Sequence, residues 1–119
     1  MTQIFDINAL PPSTNNLFVN VRGKGRVKTE RYKTWLNAAG WDVLMAKPKL
    51  VQSPVRVTIL IRRPNKRSDV DNRVKALLDL LVAQRVLIDD SQVHSLTVEW
   101  SSVVNGCRVF VEQFQKEAA

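Results

Sequence analysis

The chain has 119 residues, is 45% hydrophobic and carries 18 Lys and Arg against 11 Asp and Glu, a formal net charge of +7. That length supports one domain spanning 1–119 with a real core and is too short for two. The lone cysteine, Cys107, excludes an internal disulfide framework and a zinc cluster, and no apolar run approaches the roughly 20 residues that span a bilayer.

The start, Met1 to Asp6, lacks a charged segment ahead of an apolar one, so the expected setting is reducing and cytoplasmic, away from any membrane. A basic balance favours nucleic acid as partner, although charge alone would also admit an anionic membrane surface or an acidic protein.

Ile4 to Ile7 is apolar at alternate positions and closed by Leu10-Pro11-Pro12-Ser13, which predicts a strand ending in a rigid turn. From there to Lys28 the chain reads as loop. It becomes a mobile basic arm at about 20–29, and Arg22, Lys24, Arg26, Lys28, Arg31 and Lys33 face a single acid, Glu30. Thr29 caps a predicted helix in which Tyr32, Trp35, Leu36, Ala39, Val43 and Leu44 form one buried face, and Pro48 ends it.

Val55, Val57, Ile59 and Ile61 then alternate with Arg56, Thr58, Leu60 and Arg62 as in a half-buried strand. Ser68 and Asp71 have the spacing of a capping box, which would start a second helix near Asp69 with Val74, Leu77, Leu78, Leu81 and Val82 as its apolar stripe. After the polar break Asp89-Asp90-Ser91, Leu96, Val98 and Trp100 alternate. Asn105-Gly106 signals a hairpin into a last strand with Val109 and Val111 on one side and Phe110 and Phe114 on the other. The order β-α-β-α-β-β predicts an α+β fold, one two-layer domain with two main helices on a mixed or antiparallel sheet and a frayed tail at about 115–119.

The chemistry concentrates at Asp69-Val70-Asp71-Asn72, set among Arg62, Arg63, Lys66, Arg67, Arg73 and Lys75. Carboxylates inside a basic segment weaken phosphate binding unless a cation sits between them and the phosphate, which outlines a metal-dependent nuclease. On a helix from Asp69, Asp71 and Lys75 would share a face. Two carboxylates are a weak Mg²⁺ site, and Asp89 or Asp90 is the candidate third ligand. Each pair alone is as readily a helix cap or a turn.

In order along the chain, Leu10-Pro11-Pro12-Ser13-Thr14-Asn15-Asn16, Asp69-Val70-Asp71-Asn72, Lys75-Ala76-Leu77-Leu78-Asp79 and Ile88-Asp89-Asp90-Ser91-Gln92-Val93 resemble the RusA family of Holliday-junction resolvases. These are small basic endonucleases mostly encoded by prophages. The resemblance implies Mg²⁺ on Asp69, Asp71 and Asp90, Lys75 as the catalytic cation, and Asn72 supporting the site or touching DNA. It also implies a homodimer that nicks opposing strands of a four-way junction. Around that site Arg22, Lys24, Arg26, Lys28, Arg63, Lys66, Arg67, Asn72 and Arg73 are the expected DNA contacts.

Two departures from the family are visible. Arg85 stands where a glycine is common, so the connection after the second helix is expected to run differently, and Pro64-Asn65 and Ser68 interrupt the basic run.

Two other readings use the same residues. In a nucleic-acid-binding protein without activity the acids are only caps, and metal would not matter. In a small basic ribonuclease of toxin type His94 and bases would act without metal, leaving Asp69, Asp71 and Asp90 unexplained. His94 has no partner in the sequence and reads as structural. Trp35 and Trp100 read as core, Trp41 as surface or interface, and Cys107 as a small buried residue.

Overall fold

The computed structural model describes residues 2–115; the tail expected at about 115–119 lies, apart from residue 115, outside them. Strand β1 (Thr2–Ile7) is followed by a two-stranded ribbon of β2 (Phe18–Val21) and β3 (Gly25–Lys28), then helix α1 (Glu30–Met45), strand β4 (Val55–Ile61), helix α2 (Val74–Ala83), and strands β5 (Val93–Trp100) and β6 (Cys107–Gln113). The main sheet runs β1-β6-β4-β5, antiparallel except between β4 and β5, which are parallel. Apart from the ribbon, this is the order read from the sequence.

One face of the sheet is the core. Phe5, Val109, Ile59 and Val98 stand in register across it, with Ile7, Cys107, Ile61 and Trp100 in the next row. Tyr32, Trp35, Ala39 and Val43 of α1 and Ala76, Leu77, Leu80 and Leu81 of α2 close over those rows. The period-two burial of β4 is complete, each of its odd-numbered residues being buried, as expected for a central strand. The opposite face carries Ile4, Leu60 and Phe110, and Ile4 is 50% exposed.

Four expectations need correction. The segment before α1 is not a loop: Phe18 to Lys28 folds as an antiparallel ribbon because alternating Val19, Val21 and Val27 suit strands. Gly23 (φ 82°) and Gly25 (φ 77°) supply the left-handed residues of its turn. Next, Asn105-Gly106 closes no hairpin. β5 and β6 lie on opposite sides of β4, so the connection crosses the end of β4, where Gly106 O accepts from Arg62 N and Ile61 O from Ser101 N, each at 2.9 Å. Gly106 is needed there for closeness: a Cβ would stand 2.3 Å from the Ile7 carbonyl oxygen.

The third correction concerns Leu44, expected on the buried face of α1, which is 48% exposed because it lies near the end of the helix, where no neighbour covers it. The fourth concerns Arg85. It adopts φ 60° and completes the same helix end a glycine would: Arg85 N donates to Val82 O (3.1 Å), Val86 N to Leu81 O (2.9 Å), and Val86 is buried. The helix therefore ends as it would at a glycine, with the left-handed conformation borne by an arginine.

Candidate functional site

The second helix starts later than its sequence suggests. Asn65 Oδ1 accepts from Arg67 N (2.9 Å) and Ser68 Oγ (3.2 Å), so Ser68 serves a turn centred on Asn65 and makes no capping box with Asp71. The chain continues in turns, Asn72 N donating to Asp69 O and Val74 N to Asp71 O, each at 3.3 Å, and α2 begins at Val74. Asp69 and Asp71 are thus exposed on a turn ahead of the helix, and Asp71 does not share a helical face with Lys75.

That turn is anchored from a distance. Thr14 N and Thr14 Oγ1 both donate to Asn72 O at 2.9 Å, and Arg73, half-buried, donates to Pro11 O. The Leu10 to Asn16 motif therefore serves as the platform on which the acidic turn rests. Asn72 contributes through its carbonyl.

Lys75, in the first turn of α2, finds Asp79 instead of Asp71: Lys75 Nζ lies 3.7 Å from Asp79 Oδ1. The other oxygen of Asp79 accepts from Tyr32 OH at 2.8 Å. Burial and the Asp79 carboxylate push the Tyr32 phenol above its ordinary range, so it remains a donor. Tyr32 is held in turn by Phe18, edge-on at 5.8 Å, and by Trp35, stacked at 6.3 Å. α1 owes its position to Thr29, whose Oγ1 accepts from Tyr32 N at 3.1 Å as predicted.

The Asp-Asp pair is divided in role. Asp89 caps a short 3-10 turn (Asp90–Gln92), accepting from Ser91 N at 3.2 Å. The Gln92 side chain accepts from Ile88 N and Asp89 N and donates to Val51 O and Ser53 O, tying the turn to the chain before β4. Hydrogen bonds from Ser91 hold the Asp89 carboxyl below the usual range. Asp90 is exposed, with its carboxylate free of hydrogen bonds and ion pairs among the described residues.

An open groove of about 440 Å³ joins these parts, lined by Phe18, Lys28, Tyr32, Lys75, Asp79 and Asp90, together with Asp89. In the ribbon Asn20 pairs with Arg26 and Phe18 with Lys28, so Arg26 and Lys28 share the face that meets the groove, and the Arg26 guanidinium lies 4.2 Å from the Phe18 ring centre. Arg22 and Lys24 are exposed at the ribbon tip.

Arg63 has a partly internal task. Its guanidinium donates to Asn65 O (3.1 Å) and Lys66 O (2.7 Å) and covers Trp100 at 5.4 Å, while Lys66 and Arg67 are exposed. His94, also exposed, packs against Phe114 at 5.6 Å. Trp35 is core and Trp41 is 63% exposed.

Against this geometry, the family model for endodeoxyribonuclease RusA matches residues 9–112. The chain belongs to the RusA family. The match takes in the platform, the acidic turn, α2 and the Asp-Asp turn in one continuous span, and it makes endodeoxyribonuclease action on Holliday junctions the family's activity. None of the curated proteins compared with the chain matches it. No helix among the described residues is long and apolar enough to cross a membrane.

The metal ligands expected from sequence are not gathered. Among the described residues no group of three or more His, Cys, Asp or Glu stands close enough to hold an ion. The chemistry of the donors nevertheless suits a hard cation such as Mg²⁺: Asp69, Asp71 and Asp90 are exposed carboxylates without an ion-pair partner among the described residues, in a chain of net charge +7. The sequence reading gives Tyr32 and Asp79 no part in the site, placing Tyr32 only on a buried helix face. The four-residue step from Lys75 to Asp79 was legible; a tyrosine on the apolar face of α1 gave no hint that its hydroxyl reaches another helix.

Proposed function

We propose that this protein is a Mg²⁺-dependent, structure-selective endodeoxyribonuclease that resolves four-way DNA junctions by paired symmetric nicks, in recombination or repair. The observation that carries the reading is the groove in which Lys75, oriented by Asp79, opens beside the free carboxylate of Asp90 and the basic face of the ribbon. A purely DNA-binding protein has no use for three acids in a basic surface that form no ion pair among the described residues, since they repel the phosphates that the bases attract.

Asp69, Asp71 and Asp90, which stand apart in this structure, are the residues that would have to come together to hold the ion. When bound it would polarise the scissile phosphate and lower the pKa of a water. The chain's own residues do the rest. Lys75 presents a cation to the charge that develops on phosphate oxygens, and its pairing with Asp79 keeps that cation at the groove. Arg22, Lys24, Arg26 and Lys28 on the ribbon, with Lys66 and Arg67 on the turn, draw in the backbone of a duplex arm. Arg63, Asn72 and Arg73 shape the turn through bonds to main-chain carbonyls or through their own.

A homodimer suits a two-fold junction, since equivalent sites on two copies would meet equivalent phosphates.

The test is cleavage of a labelled four-way junction and a matching linear duplex, with Mg²⁺ or with EDTA, by wild type and Asp71→Asn. Paired nicks requiring both Mg²⁺ and Asp71 are expected, and Asp71→Asn should bind the junction at least as tightly as wild type, having lost a repulsive charge. Tight binding without cutting under any metal would favour the binding protein.

A further inference from the structure

A second groove, about 290 Å³, lies where the proline platform meets the acidic turn, lined by Pro11, Ser13, Asn16, Arg31, Trp35 and Arg73 among others. It holds two guanidinium groups and no acid. Neither arginine forms a salt bridge among the described residues. Arg73 is half-buried and tied by one N–H to Pro11 O, which leaves its remaining donors for the groove. Arg31 and Arg73 line this one small groove together, so two like charges face a single concavity.

Two like charges at one small concavity, one of them drawn out of water, are tolerated when an anion lies between them. The rim is stiff, with Pro11, Pro12 and Pro64 fixing the backbone. Ser13 Oγ accepts from Asn16 Nδ2 at 2.9 Å, so its own hydrogen is free to be donated into the groove. Arg73 directly follows Asn72 on the turn that carries Asp69 and Asp71.

We infer that Arg31 and Arg73 form a clamp for a backbone phosphate of the DNA strand, beside the acidic turn and separate from the groove of Lys75 and Asp90. The clamp rests on the nuclease reading for its ligand, and it fixes the strand's register relative to Asp69 and Asp71. Arginine suits the task because its planar fork meets phosphate oxygens two at a time.

The experiment has two arms that do not depend on cleavage. Melting is followed while inorganic phosphate is added to wild type and to Arg31→Glu, a variant that places a carboxylate opposite Arg73. Wild type should melt higher as phosphate rises. Arg31→Glu should start higher than wild type, because repulsion has become attraction, and should lose most of the phosphate response. In the second arm, junction affinity is measured against salt for Arg31→Gln, an exposed substitution that leaves the Arg73 tether intact. The slope of log affinity on log salt should fall in magnitude by about 1, equally for junction and linear duplex.

An unchanged slope, or an equal phosphate response in Arg31→Glu, overturns the clamp. Wild-type cutting is scored separately. A protein that cuts junctions but shows an unchanged slope loses only the clamp, and one that passes both arms without cutting keeps the clamp and loses the nuclease reading.

Discussion

Replacing Tyr32 with Phe removes one oxygen and leaves the ring that Phe18 and Trp35 pack against. The lost bond runs to a carboxylate at 2.8 Å, a class worth roughly 1.5–3 kcal/mol. Water can replace the donor at Asp79, whose side chain is 31% exposed, which reduces the expected loss of stability to about 1 kcal/mol. For a chain of this length that is a melting temperature lower by about 4 °C. The remaining hold on Asp79 is Lys75 at 3.7 Å, an exposed pair with the lysine N-terminal to the acid, the weaker orientation, worth roughly 0.3–0.5 kcal/mol. Without the phenol, both side chains are therefore free to leave the groove.

Single-turnover cleavage of a four-way junction should slow about ten-fold, equivalent to about 1.4 kcal/mol in the barrier, with junction affinity within about two-fold of wild type. In a Lys75→Ala background the same substitution should change the rate little, since the lysine it positions is gone. A cutting rate close to wild type, or losses that multiply in the double variant, would refute the chain of contacts from Tyr32 through Asp79 to Lys75.

Arg85→Gly should stabilise the fold: a left-handed non-glycine residue costs roughly 1–2 kcal/mol, and the entropy of an unfolded glycine returns about 0.5–1 kcal/mol of that. The melting temperature should rise by about 2–4 °C; a fall would mean that the arginine side chain compensates its backbone. Gly106→Ala should lose about 3 kcal/mol, because carbonyl oxygens 2.3 and 2.7 Å from the new Cβ cannot both move without opening the end of β1, and urea unfolding reads this directly. Burial pushes the Cys107 thiol up from 9.0 to about 12. The folded state therefore binds this proton more firmly than the unfolded one. Its contribution to stability is complete below pH 9 and disappears as pH rises through about 12. Unfolding free energies of wild type and Cys107→Ala should converge across that interval, and the folded thiol should resist iodoacetamide at pH 8; prompt labelling would contradict its burial.

The strongly periodic parts of the fold were legible. Alternation in Val55 to Ile61, the Thr29 cap and the α1 face of Tyr32, Trp35, Ala39 and Val43 each report a local preference that packing did not override. The failures share a cause. Asn105-Gly106 is a sound local turn signal, but partner choice in a sheet is decided by burial across the molecule, and the twofold-buried pattern of β4 draws β6 to its other side. Ser68 offered a cap, yet Asn65, three residues earlier, competes for it. At the site, the acids and Lys75 were visible as a composition anomaly, whereas the bonds from Tyr32 to Asp79 and from Thr14 to Asn72 run across 47 and 58 positions that no local pattern encodes.

The place of β6 has a consequence for how the molecule comes into being. The strand nearest the C-terminus sits inside the sheet, and β1 pairs only with it, across contacts such as Asp6 with Arg108, 102 positions apart. A chain emerging from the ribosome carries its basic ribbon, its acidic turn and both helices before the strand that unites their support has been made. Loop closure of that span comes last and is slow. Until then β1 and the β4–β5 pair are separate pieces, and the nascent chain can attract a polyanion by charge alone while the platform under Asp69 and Asp71 has nothing to stand on. The support of the site is thus complete only once Cys107 to Gln113 has taken its place between β1 and β4.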